Sequence, residues 1–258
     1  MTAQSTGSII VWRVVEEESR VEQVKEYQLY DAEVLVLSVA FSGVDPSLVS
    51  ATLSSGEVSL VKVTPQGLTV LGTKQAHTLE AWTSNFGSGV LGNALFSGGD
   101  DSCLVSHDTR SFEETTIWNR RLHDAGITAI LPSQHNWKND DPFCLWTGGY
   151  DDRLRSIDLR TQGELQPYLI PRCKDDIDLG GGVWRLIPNG HDNRVLACCM
   201  YGGARILEPN STFCSVARTF TKGHESMVYG GDWGGNDSVF TCSFYDKQLQ
   251  KWSTKECI

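Results

Sequence analysis

Apolar and polar residues alternate along short segments separated by glycine-rich turns, and no long stretch follows a helical period. Residues 96–110, FSGGDDSCLVSHDTR, return with small changes as WTGGYDDRLRSIDLR at 146–160; the two stretches agree at seven of fifteen positions. Each copy has the pattern of a strand, a tight turn with two glycines and an Asp, and a second strand. The pattern predicts an all-β chain built from repeated hairpins.

Looser copies of this hairpin occur elsewhere, at 48–63, 195–208 and 239–252, and only its last strand occurs at 5–12. The apolar or aromatic position that closes each copy is Trp12, Val61, His107, Ile157, Leu207 or Trp252, with spacings of 49, 46, 50, 50 and 45 residues. A further short alternating segment, often led by a His, precedes each full copy. A period in the high forties with these features is typical of WD40 propeller blades.

We therefore predict one WD40 β-propeller domain over residues 1–258, with five complete four-stranded blade repeats and a partial N-terminal blade. The partial blade is placed at 5–12, and the approximate repeats are 34–63, 77–110, 123–160, 180–208 and 224–252. Most propellers of this class have seven blades, so the count leaves two alternatives: a six-bladed ring with an unusual closure, or a seven-bladed fold that is short at its N-terminus. We favour the second. A single blade cannot bury both of its faces, which explains why the unit is repeated.

Several polar residues fit the contacts that hold a WD40 blade together. In such blades the leading His bonds the turn Asp and a strand Ser or Thr, while the glycines allow a tight turn. The residues predicted for this structural role are His77, Ser97, Asp101, His123, Thr147, Asp151, Thr241 and Asp246. His224 also fits it, with Asp246 as its expected partner.

Net charge and cysteine usage limit the classes of ligand. The net charge of −10 and the pI near 5.0 disfavour contact with nucleic acid and favour a cationic ligand. The chain has eight cysteines but no CxxC, and its histidines do not cluster with them, so we expect no metal and no cofactor. With no long apolar run and no signal-like start, we expect a cytoplasmic protein that does not contact membrane.

Five segments in order resemble the diphthine methylesterase family of WD40 proteins: QAHTLEAWTSNF (75–86), FSGGDDSCL (96–104), GGVWRL (181–186), HESMVYGGDW (224–233) and TCSFYDKQLQKW (241–252). The resemblance covers roughly residues 5 to 252. It implies a carboxylic ester hydrolase of diphthamide biosynthesis. Its partner would be translation elongation factor 2, on which it would convert the methylated diphthine intermediate to diphthine.

The predicted substrate-binding residues lie at the starts of inner strands and beside the turn Asp, positions that surround the channel mouth of a WD40 ring. They are Glu80, Trp82, Asp100, Tyr150, Trp184, Arg185, Tyr229 and Tyr245. Aromatic faces beside a carboxylate bind a trimethylammonium group, which the implied substrate carries. Arg185 would hold the product carboxylate. The alternative is that the two tryptophans only pack between blades.

The sequence contains no standard hydrolase motif: G-x-S-x-G is absent, as is HExxH. The candidate catalytic residues are His224 with Ser226 as nucleophile, or His224 and Glu225 activating a water molecule. Two non-catalytic functions compete with the enzyme. One is a WD40 scaffold for protein–protein interactions, and the other is a reader of methylated ammonium groups.

Overall fold

The computed structural model describes residues 1–114, 116–134, 137–138, 140–160, 171–235 and 237–255. These residues form six antiparallel sheets in chain order. The first sheet has strands β1 (Thr2–Ala3), β2 (Ser8–Val15) and β3 (Arg20–Gln28), and the second has β4 (Val36–Phe41), β5 (Leu48–Leu53), β6 (Glu57–Thr64) and β7 (Gly67–Gln75). The third has β8 (Ala81–Phe86), β9 (Ala94–Gly99), β10 (Cys103–Asp108) and β11 (Thr116–Arg121).

The remaining three sheets follow the same plan. The fourth has β12 (Ile127–Pro132), β13 (Cys144–Gly149), β14 (Arg153–Asp158) and β15 (Arg172–Asp178), and the fifth has β16 (Arg185–Pro188), β17 (Val195–Cys198), β18 (Ala204–Pro209) and β19 (Cys214–Phe220). The sixth has β20 (Val228–Trp233), β21 (Ser238–Ser243) and β22 (Leu249–Ser253). Helical structure in the described residues is limited to two short 3-10 turns, Glu16–Glu18 and Gly89–Leu91, and neither is long and apolar enough to cross a membrane.

The described residues form a six-bladed β-propeller, which does not match the favoured seven-bladed fold. The first strands β4, β8, β12, β16 and β20 lie side by side in succession, so each sheet packs on the next. The predicted count of five complete four-stranded repeats is wrong. Four sheets have four strands, the 224–252 unit has three in the part that the structure describes, and the N-terminal unit has three rather than one. The fourth strand of a full blade lies in the connection, beyond the predicted repeat range.

The core lies between neighbouring sheets. Phe96 and Leu104 of the third sheet pack against Ile127 and Leu145 of the fourth, and Trp146 of the fourth packs towards the fifth. Removing each such side chain from water contributes about 1.5–3 kcal/mol. These contacts use the alternate residues of each strand, which explains the period-two pattern of the sequence.

Within the third sheet and again within the fourth, hydrogen bonds from the leading histidine hold neighbouring strands and the turn together. His77 Nδ1 lies 3.0 Å from Asp101 Oδ1, and its Nε2 lies 2.9 Å from Ser97 Oγ. His123 makes the matching contacts to Asp151 at 3.0 Å and Thr147 at 2.9 Å. These six residues, each predicted for this role, therefore form the structural contacts expected of a WD40 blade.

The sixth sheet departs from this scheme, because the expected hydrogen bond between His224 and Asp246 does not form. His224 Nδ1 lies 2.6 Å from Ser243 Oγ, while its Nε2 lies 2.8 Å from Thr241 Oγ1. The matching position in the third sheet is Gly99, where an added Cβ would lie 2.5 Å from the His77 Nδ1. Ser243 places a hydroxyl in that space, so His224 Nδ1 bonds Ser243 instead of Asp246.

Candidate active site at the channel mouth

Several inner strands have a β-bulge near their start. The register of the strand pair shifts around Trp82 in β8, Thr128 in β12 and Tyr229 in β20. Trp184, directly before β16, has the corresponding place, and its N–H donates to Cys198 O at 2.8 Å. A bulge leaves its extra residue outside the regular ladder and redirects the side chain. The inner edges of the sheets can therefore present large aromatic rings to one opening.

Four aromatic rings from four different sheets meet at this opening. The Trp82 ring centroid lies 5.5 Å from that of Trp184 and 6.1 Å from that of Tyr150. Trp184 also lies 5.9 Å from Tyr150 and 5.0 Å from Tyr229. All four side chains are half-buried, unlike the core residue Trp146, which is 1% exposed. The two predicted tryptophans thus share one mouth and keep part of their surface in contact with solvent.

Two carboxylates border these rings. Trp82 Nε1 donates to Asp100 Oδ1 at 2.9 Å, and the Asp100 N–H donates to the Glu80 carbonyl at 2.8 Å. Burial, together with the nearby Asp100, Tyr229 and Glu80, raises the pKa of Tyr150 to about 12. In the described chain, neither carboxylate forms a salt bridge with a basic side chain. The mouth is therefore aromatic and negative, which suits a bulky cation.

Gly126 allows Asp100 and Tyr150 to approach each other. An added Cβ at Gly126 would lie 2.6 Å from Asp100 Oδ1 and 3.0 Å from the Tyr150 ring. Any larger residue would have to displace one of them. The glycine therefore sets the spacing between a carboxylate of the third sheet and a ring of the fourth.

Arg185 supplies positive charge beside Trp184. Its guanidinium carbon lies 5.3 Å from the Trp184 ring, and its Nη1 donates to the Trp184 carbonyl at 3.0 Å. Burial lowers the pKa of Arg185. It has no carboxylate partner within the described ranges, so most of its N–H donors are available to an anion.

The aromatic cluster continues outward through residues that the sequence analysis partly missed. Tyr229 lies 5.9 Å from Phe244, and Phe244 lies 5.2 Å from the predicted Tyr245. Burial, with Tyr245 and Tyr201 nearby, raises the pKa of Tyr229. Phe244 and Tyr201 were not predicted. The available signal for Phe244 was its position directly after β21, as Asp100 follows β9 and Tyr150 follows β13.

The three predicted catalytic residues lie close to these outer aromatic residues, but His224 bonds neither Ser226 nor Glu225. Both ring nitrogens of His224 bond Thr241 and Ser243, and burial lowers the pKa of His224 against the opposing effect of Asp246. The Ser226 hydroxyl oxygen instead accepts the Tyr245 N–H at 3.1 Å. Glu225 is exposed, and its N–H donates to Asp246 at 2.7 Å. The sequence spacing had suggested a His224–Ser226 contact that the loop does not make.

The thiols and possible metal ligands add no further centre to the described residues. Burial raises the pKa of Cys199 and of Cys214 to about 12, so these thiols stay protonated at neutral pH. No group of three or more His, Cys, Asp or Glu side chains in the described ranges is placed to hold a metal ion. The chemical groups of the mouth are therefore its rings, its carboxylates and Arg185.

Comparison with known proteins gives the chain its relatives. No protein-family model matches it. A protein of Saccharomyces cerevisiae named diphthine methyltransferase is 36% identical over 97% of this chain and 79% of its own length. Its namesake in Schizosaccharomyces pombe is 34% identical over 97% and 73%, and that of Mus musculus is 31% identical over 73% and 38%.

A solved structure supports the fold independently. A chain of the mitotic checkpoint complex superposes with a TM-score of 0.74 over 97% of this chain and 69% of its own, at 18% identity. That identity supports the propeller architecture and nothing about function. The sequence relatives carry the assignment: the chain belongs to the diphthine methylesterase family, whose members in these three organisms are named diphthine methyltransferase.

Proposed function

We propose that this protein hydrolyses the methyl ester of the methylated diphthine intermediate on translation elongation factor 2, which releases methanol and leaves diphthine. The relatives' names connect the family to diphthine and to methyl groups. The observation that carries the proposal is the mouth itself, where four rings meet beside two carboxylates that form no salt bridge in the described residues. The partner is the modified elongation factor, met in the cytoplasm, without direct contact to nucleic acid or membrane.

The aromatic mouth would hold the trimethylammonium group of the substrate. Trp82, Tyr150, Trp184 and Tyr229 offer ring faces, and each ring in contact with the cation contributes about 0.5–2 kcal/mol. Glu80 and Asp100 add charge attraction, and neither forms a salt bridge in the part of the chain that the structure describes. The net charge of −10 also favours the approach of a cationic group.

Arg185 would act on the ester end of the same substrate. In hydrolysis, the oxygen of water bonds to the ester carbonyl carbon, whose π electrons move to the carbonyl oxygen. The guanidinium stabilises that developing anion and then the product carboxylate. The tetrahedral intermediate collapses by expelling methoxide, which takes up a proton to leave as methanol. The methyl group leaves on its own oxygen and water takes the acyl group, so no methyl acceptor is needed.

A group that takes the proton from water completes the reaction. The nucleophilic option, Ser226 deprotonated by His224, requires His224 to give up its contacts to Thr241 and Ser243. Activation of water by a carboxylate requires no such rearrangement. Glu225 is one candidate, and the unpaired carboxylates at the mouth are the others.

The proposal is tested with purified protein and elongation factor 2 carrying the methylated intermediate, with no methyl donor added. We expect intact mass to show the loss of one methyl ester and methanol to accumulate. Trp184→Ala should lower kcat/KM by about tenfold, because one ring of the mouth is removed. Trp12→Ala, in the first sheet, is the matched control and should retain full activity.

Two outcomes would contradict the proposal. If the methyl ester persists but the protein binds the modified factor tightly, the chain is a reader or scaffold rather than an enzyme. If methyl groups are added to diphthine once a methyl donor is supplied, the reaction runs in the direction of the relatives' printed name.

A further inference from the structure

Three aromatic side chains at the rim of the mouth are unusually exposed. Tyr201 is 75% exposed, Phe244 is 68% exposed and Tyr245 is 64% exposed. They adjoin the half-buried rings, because Phe244 lies 5.9 Å from Tyr229, and Tyr201 follows Met200, which pairs with Val228 directly before Tyr229. Contiguous exposed aromatics are uncommon on a surface that contacts only water. We call Tyr201, Phe244 and Tyr245 the rim patch.

The turn that carries Phe244 and Tyr245 is fixed in place. The Lys247 N–H closes it by donating to the Phe244 carbonyl at 3.3 Å, with Lys247 in a left-handed conformation at φ 54°. Ser226 accepts the Tyr245 N–H, and Asp246 accepts the Glu225 N–H. The 224–226 loop therefore works as a support for the turn. A rigid aromatic turn loses little conformational freedom on binding, which favours recognition.

Tyr201 is anchored by a different set of contacts. The preceding residue, Met200, is 7% exposed and adopts φ 45°. Its carbonyl accepts the Val228 N–H at 3.0 Å, which links the fifth sheet to the first strand of the sixth. Tyr201 therefore follows a turn that is hydrogen-bonded to the strand that carries Tyr229. Neither the Tyr201 ring nor the Phe244 ring contributes to a buried core cluster.

We propose that the rim patch binds the polypeptide segment of the protein substrate that flanks the modified residue. This inference rests on the proposed function of the mouth. A modified side chain whose cation sits among Trp82, Trp184 and Tyr229 brings its own backbone to the rim, where the patch begins. Exposed aromatic residues at the edge of a pocket are typical anchors for a peptide. The occupant is thus the flanking chain, and the quaternary ammonium occupies the mouth.

The test separates the two ends of the substrate. Phe244→Ser combined with Tyr201→Ser is compared with wild-type protein on the methylated elongation factor and on glycine betaine methyl ester, a small ester with the same ammonium group and no peptide. We expect KM for the protein substrate to rise about tenfold with kcat little changed. Turnover of the small ester should stay within about twofold of wild type. Val14→Ser, equally exposed at 68% but in the first sheet, should alter neither.

Equal losses on both substrates, or an equal loss in Val14→Ser, would overturn the docking role. Binding of the modified factor, measured by calorimetry, keeps the test independent of catalysis. If no variant hydrolyses either ester, but the double variant binds about tenfold more weakly than wild type, the proposed esterase fails while the docking surface stands. If binding is also unchanged, the docking surface fails as well.

Discussion

The third and fourth sheets contain the same His–hydroxyl–Asp hydrogen bonds, but different buried residues lie next to those bonds in the two sheets. In the third sheet, buried His107 lies beside Ser97, with its Nε2 2.9 Å from the Ser97 oxygen, and its Nδ1 has no hydrogen-bond partner. In the fourth sheet the matching residue is the apolar Ile157. There Arg155 adds a charge, with its Nη1 2.6 Å from Asp151 Oδ2. One copy buries a neutral imidazole, and the other buries an ion pair.

The difference shows that two sheets can share the same strands, turn and hydrogen bonds and still bury different charges. Burial alone would raise the pKa of both aspartates, but the hydrogen bonds and charges around Asp101 and Asp151 lower it instead, and His77 and His123 contribute most to this. Only Asp151 has an arginine in addition. The two sheets should therefore respond differently to the loss of the Asp and to acid.

The largest expected effect is that of Asp151→Ala. It leaves Arg155, which is 9% exposed, without its close carboxylate, and we expect a loss of about 3–5 kcal/mol in the free energy of unfolding. Asp101→Ala removes hydrogen bonds but leaves no buried arginine without its partner, so the free energy of unfolding should fall by only about 1–3 kcal/mol. Urea unfolding of both variants measures the difference.

The double variant Asp151→Ala with Arg155→Val is the control, because Val105 occupies the matching place in the third sheet. It should recover part of the loss. Equal losses in Asp151→Ala and Asp101→Ala would show that the buried arginine does not distinguish the sheets.

The acid response gives the second prediction. Burial, aided by His77 and Lys74, lowers the pKa of His107 to about 3, below its ordinary value of 6.5. The unfolded chain therefore takes up a proton as pH falls below 6.5 while the folded chain does not, so stability is lost between pH 6.5 and 3. His107→Ile, which copies the fourth sheet, should remove this loss and gain about 2 kcal/mol over wild type at pH 5 relative to pH 8.

Denaturant midpoints of the two proteins across pH 4 to 8 measure this gain. His191→Ile, at an exposed position, provides a control for the loss of a histidine as such. Parallel curves for wild type and His107→Ile would mean that position 107 does not cause the acid response.

The smallest effect concerns the third version of the network, in the sixth sheet. Ser243→Ala removes the partner of His224 Nδ1 and should cost about 1 kcal/mol, since His224 is only half-buried and water can replace the hydroxyl. If His224 has a catalytic role, the same change should also alter the pH profile of turnover. Unfolding and turnover measured on one preparation separate the two roles.

The sequence sufficed for the parts of the molecule that repeat. The Gly-Gly-x-Asp turn and the leading histidines located the third and fourth sheets, and the rings of Trp82, Trp184 and Tyr229 lie next to one another. Repetition succeeds because each copy needs the same turn chemistry and the same inner face.

The features that the sequence did not predict depend on individual residues rather than on the repeat. A serine in place of a glycine redirected His224 to Ser243, away from its expected Asp246. The fourth strands, such as β11 and β15, are largely exposed and carry weak alternation, so they were not separated from the connections. Tyr201 and Phe244 were missed because an exposed aromatic residue has no periodic signal.

The inner-strand bulge makes the chemistry of the opening independent of the architecture that supports it. Its extra residue stands outside the ladder, so Trp82, Thr128 and Tyr229 differ widely in size and polarity while their neighbours Ala81, Ile127 and Val228 all stay buried and apolar. Trp82 and Tyr229 keep part of their surface exposed, whereas Thr128 is fully buried and donates to the Val183 carbonyl at 2.5 Å. We expect exchanges at 82 and 229 to change the chemistry of the opening with little change to the framework, and exchanges at 128 to disturb the framework.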